Sequence, residues 1–281
     1  MSYDKIKSHA KINLALNIIG KTHLLHKIES IIAFLSLHDE IFIKKINSNK
    51  HIVSFRGKFS KGIGKDNSIA KLLKLLEKKK FLKNKKFHIK VKKMIPNKAG
   101  LGGGSMNAAT LLKYFVKKKV INISKKEIIM ISKLIGSDVI LGQRFVNSVL
   151  SSNNKIKYFK NTEKIHTLIM KPNFGCSTKE IYSKVRKFDK SSLNRPHKKM
   201  FNLNFLSKMK NSLEPIAFSK HPKLKAIKTY LEFSSKAIFV RMTGSGSALI
   251  AYFNSKKKCE NAKKLFIKKY KNYWCVASKT I

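Results

Sequence analysis

Residues 99–110 read AGLGGGSMNAAT. Gly100, Gly102, Gly103 and Gly104 crowd into five positions, and ordering so many glycines costs more conformational entropy than an ordinary turn requires. A strand candidate at 87–91 and Pro96 precede the loop. Helical periodicity follows it at Ala108, Leu111, Leu112, Phe115 and Val116. Glycine lets the backbone approach a bulky anion and adopt positive φ, while the start of a helix offers unpaired N–H groups and a positive dipole end. The stretch therefore predicts a phosphate-binding turn, with a purely structural turn as the alternative. No Gly-Lys-Ser/Thr closes it as in a Walker A loop, and no acidic residue follows about 20 positions on as in a dinucleotide fingerprint.

Working outward, residues 6–18 alternate strictly, which predicts a half-buried strand with Lys11 and Asn13 on one face. That face suits two polar groups sharing a ligand, and solvent explains it equally well. Asp66 and Asn67 precede an apolar pattern at Ile69, Leu72, Leu73 and Leu76, a capped helix running into the lysines at 78–80. Ser124 and Glu127 form a capping box for a helix through Ile135, closed by Gly136. Strands are predicted at 166–170, 237–240 and 249–253, and the polar stretch 151–160 is the candidate domain junction. Strands interspersed with helices without a regular βαβ beat make this an α+β protein. A second glycine-bearing run, 242–253, places Gly244 and Gly246 before a strand, where a strand-entry turn competes with a ligand site.

With 281 residues and 43% hydrophobic content, the chain can bury one large core or two modest ones, two being favoured. No apolar run is long enough to span a bilayer and no signal-peptide pattern opens the chain, so a cytoplasmic protein without a membrane partner is expected. Cys176, Cys259 and Cys275 are too widely spaced for a disulfide framework or zinc site, and the histidines complete no metal constellation, so no metal site of the chain's own is expected. The net charge of +48 invites a nucleic-acid reading. The basic residues are spread along the whole chain and are almost all Lys, however, so a compositional drift of the surface is the stronger reading and no specific nucleic-acid partner is expected. Such a surface repels itself and should gain stability as salt screens it.

Taken together, AKINLAL at 10–16, the Pro96 glycine loop and TGSGS at 243–247 resemble, in that order, the three motifs of the GHMP kinases. Lesser matches are His26 at the family's Gly-Tyr-His turn, Asp66-Asn67 at its helix start, Gly136-Ser137-Asp138-Val139 at its Gly-Ala-Asp-Val, and residues 211–215 at its Asn-Asp-Leu-Glu-Pro. The resemblance covers nearly the whole chain. It implies a two-domain fold, with a ribosomal-protein-S5-domain-2-like ATP-binding lobe at 1–155, a ferredoxin-like lobe at 156–281, and the active site in the cleft between them.

The resemblance also implies ATP and Mg²⁺ as cofactors and an alcohol as phosphoryl acceptor. The members most resembled act on the 2-hydroxyl of a cytidine-diphosphate-linked methylerythritol; another alcohol such as homoserine is the alternative acceptor, and a basic nucleic-acid-binding protein the alternative class. Carried over by position, Asp138 is the base and Lys11 orients the hydroxyl and stabilises charge. Asn67, Pro96, Asn97, Lys98, Ala99, Gly100, Leu101, Gly102, Gly103, Gly104, Ser105 and Met106 would hold ATP. Asn13, His26, Thr178 and Tyr182 would hold the acceptor. The chain departs from the family at Leu25, where Tyr is usual, at His23 and Leu24, which replace Asp-Gly, and at Ile140, which replaces a proline.

Overall fold

The computed structural model describes residues 2–23 and 25–281; Leu24, one of the departures, lies outside them. The chain packs into two compact units that interleave along the sequence. One holds Met1–Ala10, Leu37–Asn97 and Gly102–Phe145, the other Lys11–Ser36, Lys98–Leu101 and Val146–Ile281. Two long strands, β1 (Asp4–Lys21) and β2 (His26–Ile46), pair with each other and contribute to both units.

In the first unit, β4 (Lys86–Lys92) lies antiparallel to β2, with Ile41 opposite Val91 and Ile43 opposite Ile89, and parallel to β3 (Ile52–Arg56). That register sends Ile41, Ile43, Ile89 and Val91 to one face, where all four are buried. Three helices cover it: α1 (Ser68–Lys78), α2 (Gly103–Lys117) and α3 (Lys125–Ile135). Helix α1 starts at the expected cap, since Asn67 Oδ1 accepts from the N–H groups of Ile69 and Ala70. It buries Ile69, Leu72, Leu73 and Leu76, each worth about 1.5–3 kcal/mol of transfer free energy. The Ser124–Glu127 capping box of α3 is complete, with both reciprocal hydrogen bonds present.

In the second unit, β2 pairs through Ser30–Ile32 with β5 (Ser148–Leu150), which forms a hairpin with β6 (Ile156–Tyr158). The polar stretch 151–160 is thus the turn and second strand of that hairpin. Four further strands, β7 (His166–Lys171), β8 (Phe239–Met242), β9 (Leu249–Phe253) and β10 (Trp274–Lys279), form an antiparallel sheet in the order β10-β7-β9-β8. Between β7 and β8 lie α4 (Thr178–Ser183), α5 (Leu203–Ser207), α6 (Glu214–Lys220) and α7 (Pro222–Ser234), and α8 (Lys256–Lys269) joins β9 to β10. This βαββαβ order is the ferredoxin-like arrangement expected for the C-terminal half. Its core includes Leu168, Leu224, Ile227, Leu249, Ala251 and Phe266.

Three expectations need correction. The first strand is not half-buried over 10–18, because every residue there is buried and Lys11 and Asn13 are each only 4% exposed. Lys11, Asn13 and Asn17 are polar there because they are hydrogen-bonded inside the protein, not because water covers them. Helix α2 begins at Gly103, with Gly102 left-handed at its N-cap, and not where the apolar periodicity starts. Strand β8 runs two residues later than 237–240, because the chain is still turning at 235–237, where Ala237 N–H donates to Ser235 Oγ.

Candidate active site

Within the second unit, residues 98–101 of the glycine loop meet the other two sequence motifs. Lys11 N–H donates to the carbonyl of Leu101 at 3.0 Å, and Asn13 N–H donates to Thr243 Oγ1 at 2.9 Å. Thr243 Oγ1 in turn donates to the carbonyl of Gly100 at 3.3 Å. The glycine turn also receives the N–H groups of Ser247 at Lys98 and of Ala248 at Ala99, at 3.3 and 3.2 Å. Gly100 has φ +71°, and a Cβ there would stand 2.0 Å from the carbonyl oxygen of Thr243. Glycine is required at this position on both conformation and space. Asn211 braces the late turn by donating from Nδ2 to the carbonyls of Met242 and Gly244, both at 2.8 Å, which gives the motif at 211–215 a structural role.

Side-chain chemistry in this unit is ordered around the same strands. Lys11 Nζ donates to Asn13 Oδ1 at 3.0 Å, and Asn13 Nδ2 donates to Ser30 Oγ at 2.8 Å. An ammonium held on a buried amide is fixed in direction, as a group that must meet developing charge should be. His26 and Tyr182 bring their ring centroids to 5.3 Å at 49°, and Thr178 Oγ1 lies 2.9 Å from Ser245 Oγ. Burial, with a smaller contribution from Lys21, lowers the pKa of His26 below its ordinary 6.5. The ring is therefore neutral at pH 7 and keeps one nitrogen as an acceptor. Leu25 sits beside it, 69% exposed, in a turn closed by Thr22 N–H donating to the Leu25 carbonyl at 2.7 Å.

The first unit holds the rest of the expected residues. A cavity of about 230 Å³ is lined by Phe55, Gly62, Ile63, Gly64, Asn67, Ser68, Ile69, Lys93, Asn97, Gly104 and Asn107. The first turn of α2 forms part of its wall. A Cβ on Gly103 would come within 3.1 Å of Ile95 Cγ2 and 3.2 Å of Lys93 Nζ, and one on Gly104 within 3.1 Å of Ser68 Oγ. Bare backbone N–H groups at a helix start, beside a lysine, are a fit setting for phosphate. Asn67 spends Oδ1 on its helix cap and Nδ2 on the Gly64 carbonyl at 3.1 Å, while Asn97 Nδ2 donates to the Phe59 carbonyl at 2.9 Å. Pro96 and Met106 are buried.

Asp138 stands partly buried in the turn after α3, next to buried Val139, whose N–H donates to the Gly136 carbonyl at 3.0 Å. A Cβ on Gly136 would be 3.6 Å from Ser105 Oγ, so this turn adjoins the first turn of α2. The 3-10 turn Leu141–Gln143 that follows has no side-chain cap. Lys11, Asn13, His26, Thr178 and Tyr182 thus belong to the second unit with Lys98–Leu101; Asp138, Asn67, Pro96, Asn97 and 102–106 belong to the first.

Sequence reasoning missed Phe55, Gly62, Gly64, Lys93, Asn107 and Thr243 as parts of these settings. Thr243 was within reach, because it opens the TGSGS run. Lys93 carried no signal among so many lysines. Among the described residues no group of three His, Cys, Asp or Glu side chains is placed to hold a metal, and no helix is long and apolar enough to cross a membrane.

Comparison with known proteins points to one family. Residues 67–144 match the model of the GHMP kinases N terminal domain and residues 185–272 that of the GHMP kinases C terminal. A 4-diphosphocytidyl-2-C-methyl-D-erythritol kinase of Pelagibacter ubique is 54% identical over 281 residues, covering 100% of both chains. One of the same name from Clostridium perfringens is 33% identical, covering 95% of this chain and 94% of its own. Among solved structures, a 4-(cytidine 5'-diphospho)-2C-methyl-D-erythritol kinase aligns with a TM-score of 0.81 at 21% identity, covering 99% of this chain and 100% of its own. A homoserine kinase from Cytophaga hutchinsonii reaches 0.72 at 13% identity, covering 100% of this chain and 95% of its own. Likenesses of this last kind bear on fold alone.

Proposed function

The chain belongs to the GHMP kinases, and from that membership we infer that it transfers the terminal phosphoryl group of ATP to the 2-hydroxyl of 4-diphosphocytidyl-2-C-methyl-D-erythritol, in the non-mevalonate route to isoprenoid precursors. The observation that carries this reading is the 54% identity, over the full length of both chains, to a kinase of that name. The pairing of neutral His26 with Tyr182 supports it, since a ring acceptor beside an aromatic wall suits the amine edge and face of a cytosine.

In the reaction the acceptor oxygen bonds to the terminal phosphorus as the bond from that phosphorus to the bridging oxygen breaks and ADP leaves. We assign Asp138 to take the proton of the acceptor hydroxyl, and Lys11, held by Asn13, to direct that oxygen and offset charge as it develops. We assign the glycine turn and the first turn of α2 to supply backbone N–H groups for the phosphates, and the cavity walled by Gly62, Asn67, Lys93 and Gly104 is the candidate seat of the nucleotide. Mg²⁺, arriving with ATP, would help neutralise the charge of the phosphoryl group being transferred. We also read 1–155 as the ATP-binding domain and 156–281 as the C-terminal domain, a division supported by the separate ranges of the two family matches.

The test is ADP release with Mg-ATP and the cytidylyl methylerythritol, beside homoserine and mevalonate. Turnover with the cytidylyl substrate alone, lost in Asp138→Asn, is the expected result. Turnover with another alcohol instead would discard the substrate and keep the kinase.

A further inference from the structure

Asp39 enters none of the assignments above, yet it is the most heavily bonded carboxylate of the first unit. It is fully buried within β2, one residue before Glu40, which pairs with Lys92 of β4. Its Oδ1 accepts the N–H groups of Met94 and Ile95, both at 2.8 Å. Its Oδ2 accepts Asn107 Nδ2 at 3.0 Å and pairs with the ammonium of Lys93, itself 2% exposed. Four donors on one buried carboxylate are more than an isolated ion pair needs for its desolvation.

The positions of those donors give the cluster a meaning. Met94 and Ile95 lie just past the end of β4 and immediately before Pro96, where their N–H groups have left the sheet ladder. Asn107 sits in the early part of α2, beyond the glycines. Lys93 and Asn107 both line the cavity, and Lys93 Nζ is the group nearest to Gly103 after the side chain of Ile95. One carboxylate therefore ties together the two flanks of the glycine-rich stretch.

We propose that Asp39 is a positioning residue for nucleotide binding, holding the entry and exit of the glycine loop at a fixed separation so that the loop is ordered before ATP arrives. The proposal rests on the reading of that loop as the ATP phosphate site. A run of glycines is entropically costly to order, and ordering it in the free protein removes that cost from the binding step. The acceptor-binding side chains, His26, Thr178 and Tyr182, lie outside the unit that Asp39 braces. Loss of the tie should therefore act on ATP and leave the alcohol alone.

The experiment compares Asn107→Ala, Asp39→Asn and the charge-balanced pair Asp39→Asn/Lys93→Met with the wild type, in the full chain. The pair is included because Asp39→Asn alone leaves a buried ammonium unpartnered and can fail to fold. Asn107→Ala removes one donor and keeps the ion pair. Mg-ADP affinity by calorimetry, KM for ATP, KM for the acceptor and the thermal midpoint are measured for each. The expected result is a roughly tenfold weakening of Mg-ADP binding and rise in KM for ATP, with the acceptor KM unchanged, in Asn107→Ala and the paired variant. A lower thermal midpoint with unchanged nucleotide affinity would mean a purely structural cluster and overturn the proposal. Gly103→Ala runs alongside. If it weakens ADP and the cluster variants do not, the positioning role alone falls; if it too leaves ADP unaffected, the phosphate-loop reading falls and the proposal with it.

Discussion

Lys11 Nζ lies 3.0 Å from Asn13 Oδ1, two positions along a buried strand, and the other end of the same amide is committed to Ser30. Removing the amide leaves the ammonium with its charge but takes away a bond that directs it. Asn13→Ala should lower kcat on the order of 10- to 100-fold, the scale of a misplaced reacting group. Lys11→Met should cost about 10²–10³-fold, as for a lost charge-stabilising donor. Steady-state kinetics on both variants decide it, and an unchanged kcat in Asn13→Ala would remove Asn13 from the orienting role.

Gly100→Ala tests the junction of the glycine turn with the late TGSGS turn. The added carbon meets the Thr243 carbonyl and holds the backbone at φ +71°. The conformation alone should cost about 1–3 kcal/mol, before any displacement of the turn. Denaturant titration should show the loss, and a stability equal to wild type would mean that the two turns do not meet as described.

His26 gives the pH dependence. Its pKa is lowered, chiefly by burial, so the neutral form is the one the fold favours. Its contribution to stability is fully present above the unfolded value of 6.5 and is lost as pH falls through the lower folded value. Acceptor KM should rise over that same acidic window, because protonation turns the ring acceptor into a donor. An NMR titration of the His26 ring should give a midpoint below 6.5; one at or above it would refute the shift.

Leu25 offers the opposite kind of change. It is exposed beside His26, in the position where the resemblance leads one to expect Tyr. Leu25→Tyr should add an aromatic face worth about 0.5–1.5 kcal/mol, lowering the acceptor KM roughly 2- to 12-fold. If the KM for ATP falls instead, the residue has been placed at the wrong ligand.

The sequence exposed the scaffold of this site better than its environment. Alternation located β1, but periodicity reports only that two faces differ, so the buried polar face of Lys11 and Asn13 could not be told from one open to water. The caps of α1 and α3 were legible because Asn67, Ser124 and Glu127 act on neighbours three positions away or fewer. The first turn of α2 was not, since glycines have no side chains to display a period. Asp39 was silent for a different reason: its partners at 93–95 and 107 are local to nothing in the sequence, and only the strand pairing brings them together.

The second unit has a consequence for how this protein is made. Its early segment, 11–36, is paired with the far end of the chain: Ile281 N–H donates to the Phe34 carbonyl at 3.0 Å, and Leu35 bridges Thr280. A ribosome delivers 11–36 long before it delivers those partners, so the nascent strand must wait with its apolar residues uncovered while most of the polypeptide is synthesised. Contacts so distant in sequence close slowly, and such waiting segments are where a growing chain is most exposed to aggregation. The strands that carry Lys11 and His26 are therefore completed only after residues 280 and 281 have been made.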